Sequence, residues 1–131
     1  MFDVEVIGVA ELGAAGPTGV EVEELCALAL SSAGIAAGHV AVQFVDEERM
    51  RELNARFRRV DSPTDVLSFG VDEGGDSAGP RELGDIVICP AHTHDIREAV
   101  VHGALHLTGM DHETDEGEML ALQSELMRWV R

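Results

Sequence analysis

The stretch His102-Gly-Ala-Leu-His106-Leu-Thr-Gly109-Met-Asp-His112 sets three histidines at the spacing H-x-x-x-H-x-x-G-x-x-H. Residues four apart share a helix face, so His102 and His106 can each place a ring nitrogen about 2.0–2.1 Å from one ion. Glycine takes left-handed backbone angles at little cost, and Gly109 therefore lets the chain turn and return His112 as a third ligand. Three protein ligands leave one tetrahedral position for water, which is the arrangement of catalytic rather than structural zinc. Two histidines at helical spacing alone are equally well explained by ordinary hydrogen bonding. The third histidine and the turn glycine make a metal centre the expectation. Zinc is the expected ion, although three neutral imidazoles also suit nickel, cobalt, copper or iron.

Such a site needs a scaffold, and 131 residues suffice for one domain, expected to span 1–131, with roughly two-thirds of the unfolded surface buried. The hydrophobic fraction of 45% is ordinary for a globular protein, and no apolar run approaches the ~20 residues that span a bilayer. The opening Met1-Phe-Asp-Val-Glu-Val has neither a basic leader nor an uninterrupted apolar segment, so a soluble chain in the cytoplasm without membrane contact is expected. Cys26 and Cys89 suggest no disulfide framework. Both are expected as buried thiols, the alternative for Cys89 being a place near the metal.

A formal net charge of −16 repels nucleic acid over long range and argues against a nonspecific polyanion binder. The cations are concentrated, however: there is no lysine, and five of the nine arginines, Arg49, Arg51, Arg56, Arg58 and Arg59, fall within eleven residues. For Arg49, Arg51 and Arg56 the expectation is a helix face paired with Glu47, Glu48 and Glu52.

Periodicity supplies the elements. Residues 2–9 alternate as a first strand, and Thr18-Gly-Val-Glu21 resembles a capping box opening a helix with Val22, Leu25, Cys26, Leu28 and Ala29 inward until Gly34. Residues 39–45 form a second strand with His39 at its end, and Asp46 caps a short helix in which Met50, Leu53 and Phe57 face the core. Pro63 excludes helix before the strand ending at Phe69. Residues 70–82 read as a mobile connector, Leu83–Cys89 as a strand joined to the previous one as a hairpin. Asp95-Ile-Arg-Glu98 caps the helix carrying His102 and His106, and Thr114 starts a last helix with Met119, Leu122, Leu126 and Val130 inward. This mixed order of strands and helices predicts an α+β fold.

Leu53-Asn54, Phe57-Arg58, Pro63-Thr-Asp-Val-Leu-Ser-Phe69, Leu83-Gly-Asp-Ile-Val-Ile88 and the three-histidine motif follow one another in the chain, and together they resemble the YbeY family of bacterial endoribonucleases over about residues 40–130. The resemblance implies a small mixed β-sheet of about four strands packed with helices, and a zinc ion held by His102, His106 and His112. It implies single-strand-directed RNA cleavage in 16S ribosomal RNA 3′-end maturation and in ribosome assembly and quality control. The implied partners are single-stranded ribosomal RNA in the small ribosomal subunit precursor, together with a ribosomal protein or assembly GTPase that could deliver RNA to so acidic a surface. An arginine important for activity lies beside the metal in the family, and Arg58 occupies that position. Its fixed fork of donors suits a phosphate better than lysine's point charge. Arg58 and His102 are thus the expected catalytic residues.

Between Cys89 and His102 the chain resembles a shortened family member, lacking roughly a dozen residues, about three helical turns, so the helix entering the site is expected to be truncated. His92 and His94 lie in this stretch and are expected as exposed loop residues, the alternative being an approach to metal or RNA. The proton-transfer group is open among Asp65, Asp85 and Asp111, each with a structural alternative: turn bonding, strand-end capping, and orienting a ligand histidine. Two rival readings remain. A zinc peptidase shares the histidine spacing, but Gly103 stands where those enzymes carry their glutamate base. The other rival is a ribosome-assembly factor whose metal only holds the fold together.

Overall fold

A computed structural model describes residues 2–70 and 81–130. The connector read at 70–82 therefore falls, from 71 to 80, outside the described residues. The fold is α+β: a four-stranded mixed sheet with helices on both faces.

Strand β1 (Phe2–Ile7) pairs in parallel with β2 (Gly38–Phe44), and β2 pairs in parallel with β4 (Glu82–Ile88). Strand β3 (Val66–Gly70) runs antiparallel to β4 at the sheet edge, giving the order β1-β2-β4-β3. The expected hairpin pairing is thus present, with Ser68 opposite Ile86 and Val66 opposite Ile88. β2 and β4 are covered on both faces and read as near-continuous apolar runs, as central parallel strands do, whereas edge strand β1 buries only Val4. Gly84 has φ +133°, and a Cβ there would run into the Phe69 carbonyl, so the glycine lets β3 lie close against β4.

One face of the sheet carries the larger core, built with α1 (Gly19–Ser32), α3 (Ile96–Leu107) and α4 (Glu118–Trp129). Val22, Leu30, Val40, Ile86, Ile88, Val100, Leu105 and Met119 meet there, all fully buried or nearly so. Cys26 belongs to it, and burial pushes its thiol up to about 12. Thr18 caps α1 by accepting from the Glu21 amide at 3.1 Å. Glu21 grips Arg97 through both carboxylate oxygens, at 2.6 and 3.1 Å, pinning α1 to α3.

The opposite face is covered near β3 by α2 (Glu47–Arg58), which packs Met50 and Leu53 on Leu67, Val87 and Cys89. Phe57, expected inward, is instead 54% exposed, its ring tilted against Phe69 at 5.0 Å. The last helix begins at Glu118 rather than Thr114. The reason is competing side-chain acceptors. Asp111 takes the Glu113 amide, and Asp115 takes those of Gly117 and Met119, which holds residues 111–117 in turns. Among the described residues, no helix is long and apolar enough to cross a membrane.

Candidate metal centre

The helix that carries two of the histidines is held against the sheet at its smallest residue. A Cβ at Gly103 would lie 2.5 Å from Ile86 Cγ2, and the Ser68 hydroxyl donates to the Gly103 carbonyl at 3.1 Å. This close seating turns position 103 into the core and leaves the adjacent face, with His102 and His106, toward a cleft beside β3. Asp95 starts α3 by accepting from the Glu98 amide at 3.1 Å. Gly109, with φ +96°, ends it where the spacing predicted, and the chain doubles back so that His112 faces the other two rings.

The ring centroids of His102, His106 and His112 lie 4.7 to 5.4 Å apart, and one nitrogen from each falls within 4.8 Å of the others. His102 Nδ1 is 2.7 Å from the Gln123 side-chain oxygen, and His106 Nδ1 is 3.0 Å from the Met110 carbonyl. Both partners are acceptors, so each Nδ1 carries the proton and each Nε2 keeps its lone pair for a metal. Burial, reinforced by the neighbouring His102, pushes the His106 imidazole below its ordinary value, favouring the neutral form that ligates. The donor set therefore fits a transition-metal ion, with three imidazoles and an open side.

The histidines form one wall of a cleft of about 620 Å³ that also includes Arg58, Thr64, Asp65, Ser68 and Asp111. Arg58 ends α2, and Arg59 immediately turns the chain with a left-handed φ of 60°. Asn54 holds this turn. It is 2% exposed, its amide nitrogen donates to the Ser62 carbonyl at 2.8 Å, and its backbone carbonyl accepts from Val60 at 3.3 Å. Its side-chain oxygen is buried and has no hydrogen-bond partner among the described residues. Among the described residues the exposed Arg58 guanidinium has no ion pair, so its donors are open to an anion in the cleft.

The other expected site residues divide. Asp65 lines the cleft and makes the expected turn bonds through Oδ1, from the Val66 amide at 2.8 Å and the Thr64 hydroxyl at 3.3 Å. Asp111 also lines the cleft, but it caps the turn after α3 instead of orienting a histidine. Asp85 is not brought there. Ile86 points at α3, so strand alternation sends Asp85 to the opposite face, and it pairs mid-strand rather than at a strand end. Partial burial there, with the nearby Glu82, pushes its carboxyl up. Cys89 is fully buried under α2, away from the cleft, and burial pushes its thiol up. His92 sits 3.3 Å from Glu47. His94 is exposed but lines a second cavity that adjoins His102 and His112. The arginine face follows the expectation only at Arg49, which is 4.0 Å from Glu52; Arg51 instead binds Asp61 at 2.8 Å, and Arg56 lies over the Phe57 ring at 5.3 Å.

Gln123 and the Met110 carbonyl are parts of the site that the sequence reading did not identify. Gln123 carried a signal: it stands between Met119 and Leu126 at helical spacing, a polar interruption in α4's inward stripe.

Comparison with known proteins follows the same residues. The family model described as Endoribonuclease YbeY matches residues 20–131, a longer span than the motifs alone covered. A protein named Endoribonuclease YbeY from Rubrobacter xylanophilus is 42% identical over 138 residues, covering 99% of this chain and 97% of its own. One of the same name from Macrococcus caseolyticus is 38% identical over 82% of each chain. A solution structure of a Thermotoga maritima protein superposes with a TM-score of 0.52 at 28% identity, covering 95% of this chain and 87% of that one.

Proposed function

The chain belongs to the YbeY endoribonuclease family, and we propose that residues 1–131 form one domain that acts in the cytoplasm as a zinc-dependent, single-strand-specific endoribonuclease. Its proposed role is 16S ribosomal RNA 3′-end maturation and ribosome assembly and quality control, on the small-subunit precursor. The observation that carries this reading is the cluster of three imidazoles, two with Nδ1 already engaged, facing an anion-ready Arg58 across one cleft.

His102, His106 and His112 would hold the ion through ring nitrogens. When bound, zinc supplies a Lewis acid that polarises a phosphoryl oxygen and lowers the pKa of water. Arg58 binds the non-bridging oxygens of the scissile phosphate and stabilises the charge that grows there. His102, its ring oriented by Gln123, would hold the ion as one of its ligands and so contribute to the reaction. Asp65 lines both cavities together with His102 and His112, and its turn bonds use only Oδ1, which supports assigning it, rather than Asp85 or Asp111, the proton-transfer role. A ribosomal protein or assembly GTPase delivers the RNA, offsetting repulsion from a net charge of −16.

The peptidase alternative loses its support in the packing of α3. The position that would carry a glutamate base faces Ile86 in the core rather than the cleft. Arg58→Ala tests the enzymatic reading: zinc content and thermal stability stay at the wild-type level, while cleavage of a ribosomal RNA 3′ precursor falls by a factor on the order of 100, the scale of losing one donor to a developing oxyanion. Retained cleavage would remove Arg58 from the chemistry. Tight precursor binding by metal-loaded wild type without any cleavage would favour the assembly-factor role.

A further inference from the structure

Adjoining the histidine cluster is the second cavity, of about 280 Å³, which shares Asp65, Val66, His102 and His112 with the main cleft but is not lined by Arg58. Its walls are unlike those of a phosphate site. Glu98, His102 and His106 succeed one another at four-residue intervals along α3, so the Glu98 carboxylate projects from the same helix face, about 6 Å before His102. Gln123 forms the facing wall from α4. Its side-chain oxygen is committed to His102 Nδ1, and among the described residues the amide NH₂ is the end left for a ligand. Ala99 and Leu120 add apolar surface, and His94 adds a ring at the rim. A carboxylate here repels a second phosphate, whereas a ring, an apolar wall and fixed polar groups are what an unpaired base uses: stacking, plus hydrogen bonds to its Watson–Crick edge.

We propose that this cavity is a guanine subsite for the nucleotide next to the scissile phosphate, with Glu98 as the specificity-determining residue. The proposal rests on the endoribonuclease reading above. Guanine alone among the four bases presents two adjacent donors, N1–H and the N2 amino group, which match the two oxygens of one carboxylate. Beside them is the O6 acceptor, which matches the Gln123 amide NH₂. Uracil offers one N–H flanked by two carbonyls. Adenine and cytosine each set a ring acceptor beside their single exocyclic donor, so either would turn a lone pair toward Glu98. Single-stranded RNA would then lie with its phosphate at Arg58 in the main cleft and one base in the second cavity.

The test uses zinc-loaded full-length protein with two readouts. Short uridine RNAs carrying one guanosine are cleaved and the cut positions mapped. The 2′-O-methyl dinucleotides GpU, UpG and UpU, which lack the free 2′-hydroxyl, are titrated calorimetrically. Cleavage beside the guanosine is expected to run about tenfold faster than at uridine steps, and one guanine dinucleotide to bind about tenfold tighter than UpU. That is the low end of the effect of hydrogen bonds to a charged group, as befits an exposed one. Glu98→Gln brings both ratios to within about threefold. Losing a negative charge favours all RNAs alike, so the ratio rather than the affinity is the reading. Ratios near one in the wild type, or ratios unchanged in Glu98→Gln, overturn the subsite. If no RNA is cleaved, the endoribonuclease reading fails while the dinucleotide ratio still decides the subsite.

Discussion

His102 and His106 owe their tautomer to acceptors that the histidine motif does not contain. The ligand spacing was readable because four-residue repeats and a glycine stop are local features of a helix, and Gly109 does adopt the left-handed angle that the motif required. Gln123 is 21 positions from the histidine it orients, and its arrival depends on where α4 starts, which the chain settles through the acceptor side chains of Asp111 and Asp115. Asp111 was open between proton transfer and orienting a histidine for the same reason: proximity in sequence cannot distinguish a carboxylate aimed at the site from one bent back to an amide two residues on. The role of Gln123 is open to direct test. Gln123→Leu keeps the volume of the side chain but removes the acceptor, so zinc affinity measured by competition with a chelator should fall about 10-fold to 100-fold, with the helix content unchanged. An unchanged affinity would mean that the His102 ring is held by packing alone.

At the scale of the elements, strands and caps were largely legible, because Thr18, Asp46 and Asp95 each accept the predicted amide and period-2 patterns marked the sheet. What the pattern could not show was which polar residues pair across strands. His39, read as a strand-end residue, bridges three strands: its Nδ1 lies 2.9 Å from Glu82 on β4 and its Nε2 3.6 Å from Glu5 on β1. The Glu82 hydrogen bond holds its pKa above the ordinary value. The protonated bridge therefore stabilises the fold fully below about pH 6.5, the unfolded value, and its contribution disappears as pH rises through the higher folded pKa. Because the pair is near solvent, the effect is small, about 0.5 kcal/mol. His39→Gln should lower the melting temperature at about pH 5.5 and leave it unchanged at about pH 9, measured by thermal denaturation. Equal effects at both values would assign His39 a packing role. Phe57 marks the other limit of pattern reading, since its helical spacing with Met50 and Leu53 is genuine, yet it sits in the last turn of α2, where its ring tilts against Phe69 and stays 54% exposed.

Taken as a whole, the molecule sets an open cleft with a three-histidine cluster able to hold a metal on a chain of net charge −16, a combination that suits the proposed enzyme if its RNA is presented to it rather than captured by long-range attraction. The acidity was visible in composition, and the cleft was not: it arises because β3 forms the sheet edge beside α3, an antiparallel addition to three parallel strands, and because Asn54 turns the chain after α2 so that Arg58 and Asp65 face the histidines together. The proposed chemistry depends on a metal at the three histidines. Zinc content by mass spectrometry, measured with cleavage of a ribosomal RNA 3′ precursor by the same preparation, compares wild type with His106→Ala most directly. About one zinc per chain, with zinc-dependent cleavage in the wild type and both lost in His106→Ala, is the predicted result. A wild type that binds no metal, or a His106→Ala variant that cleaves as well as the wild type, would contradict it.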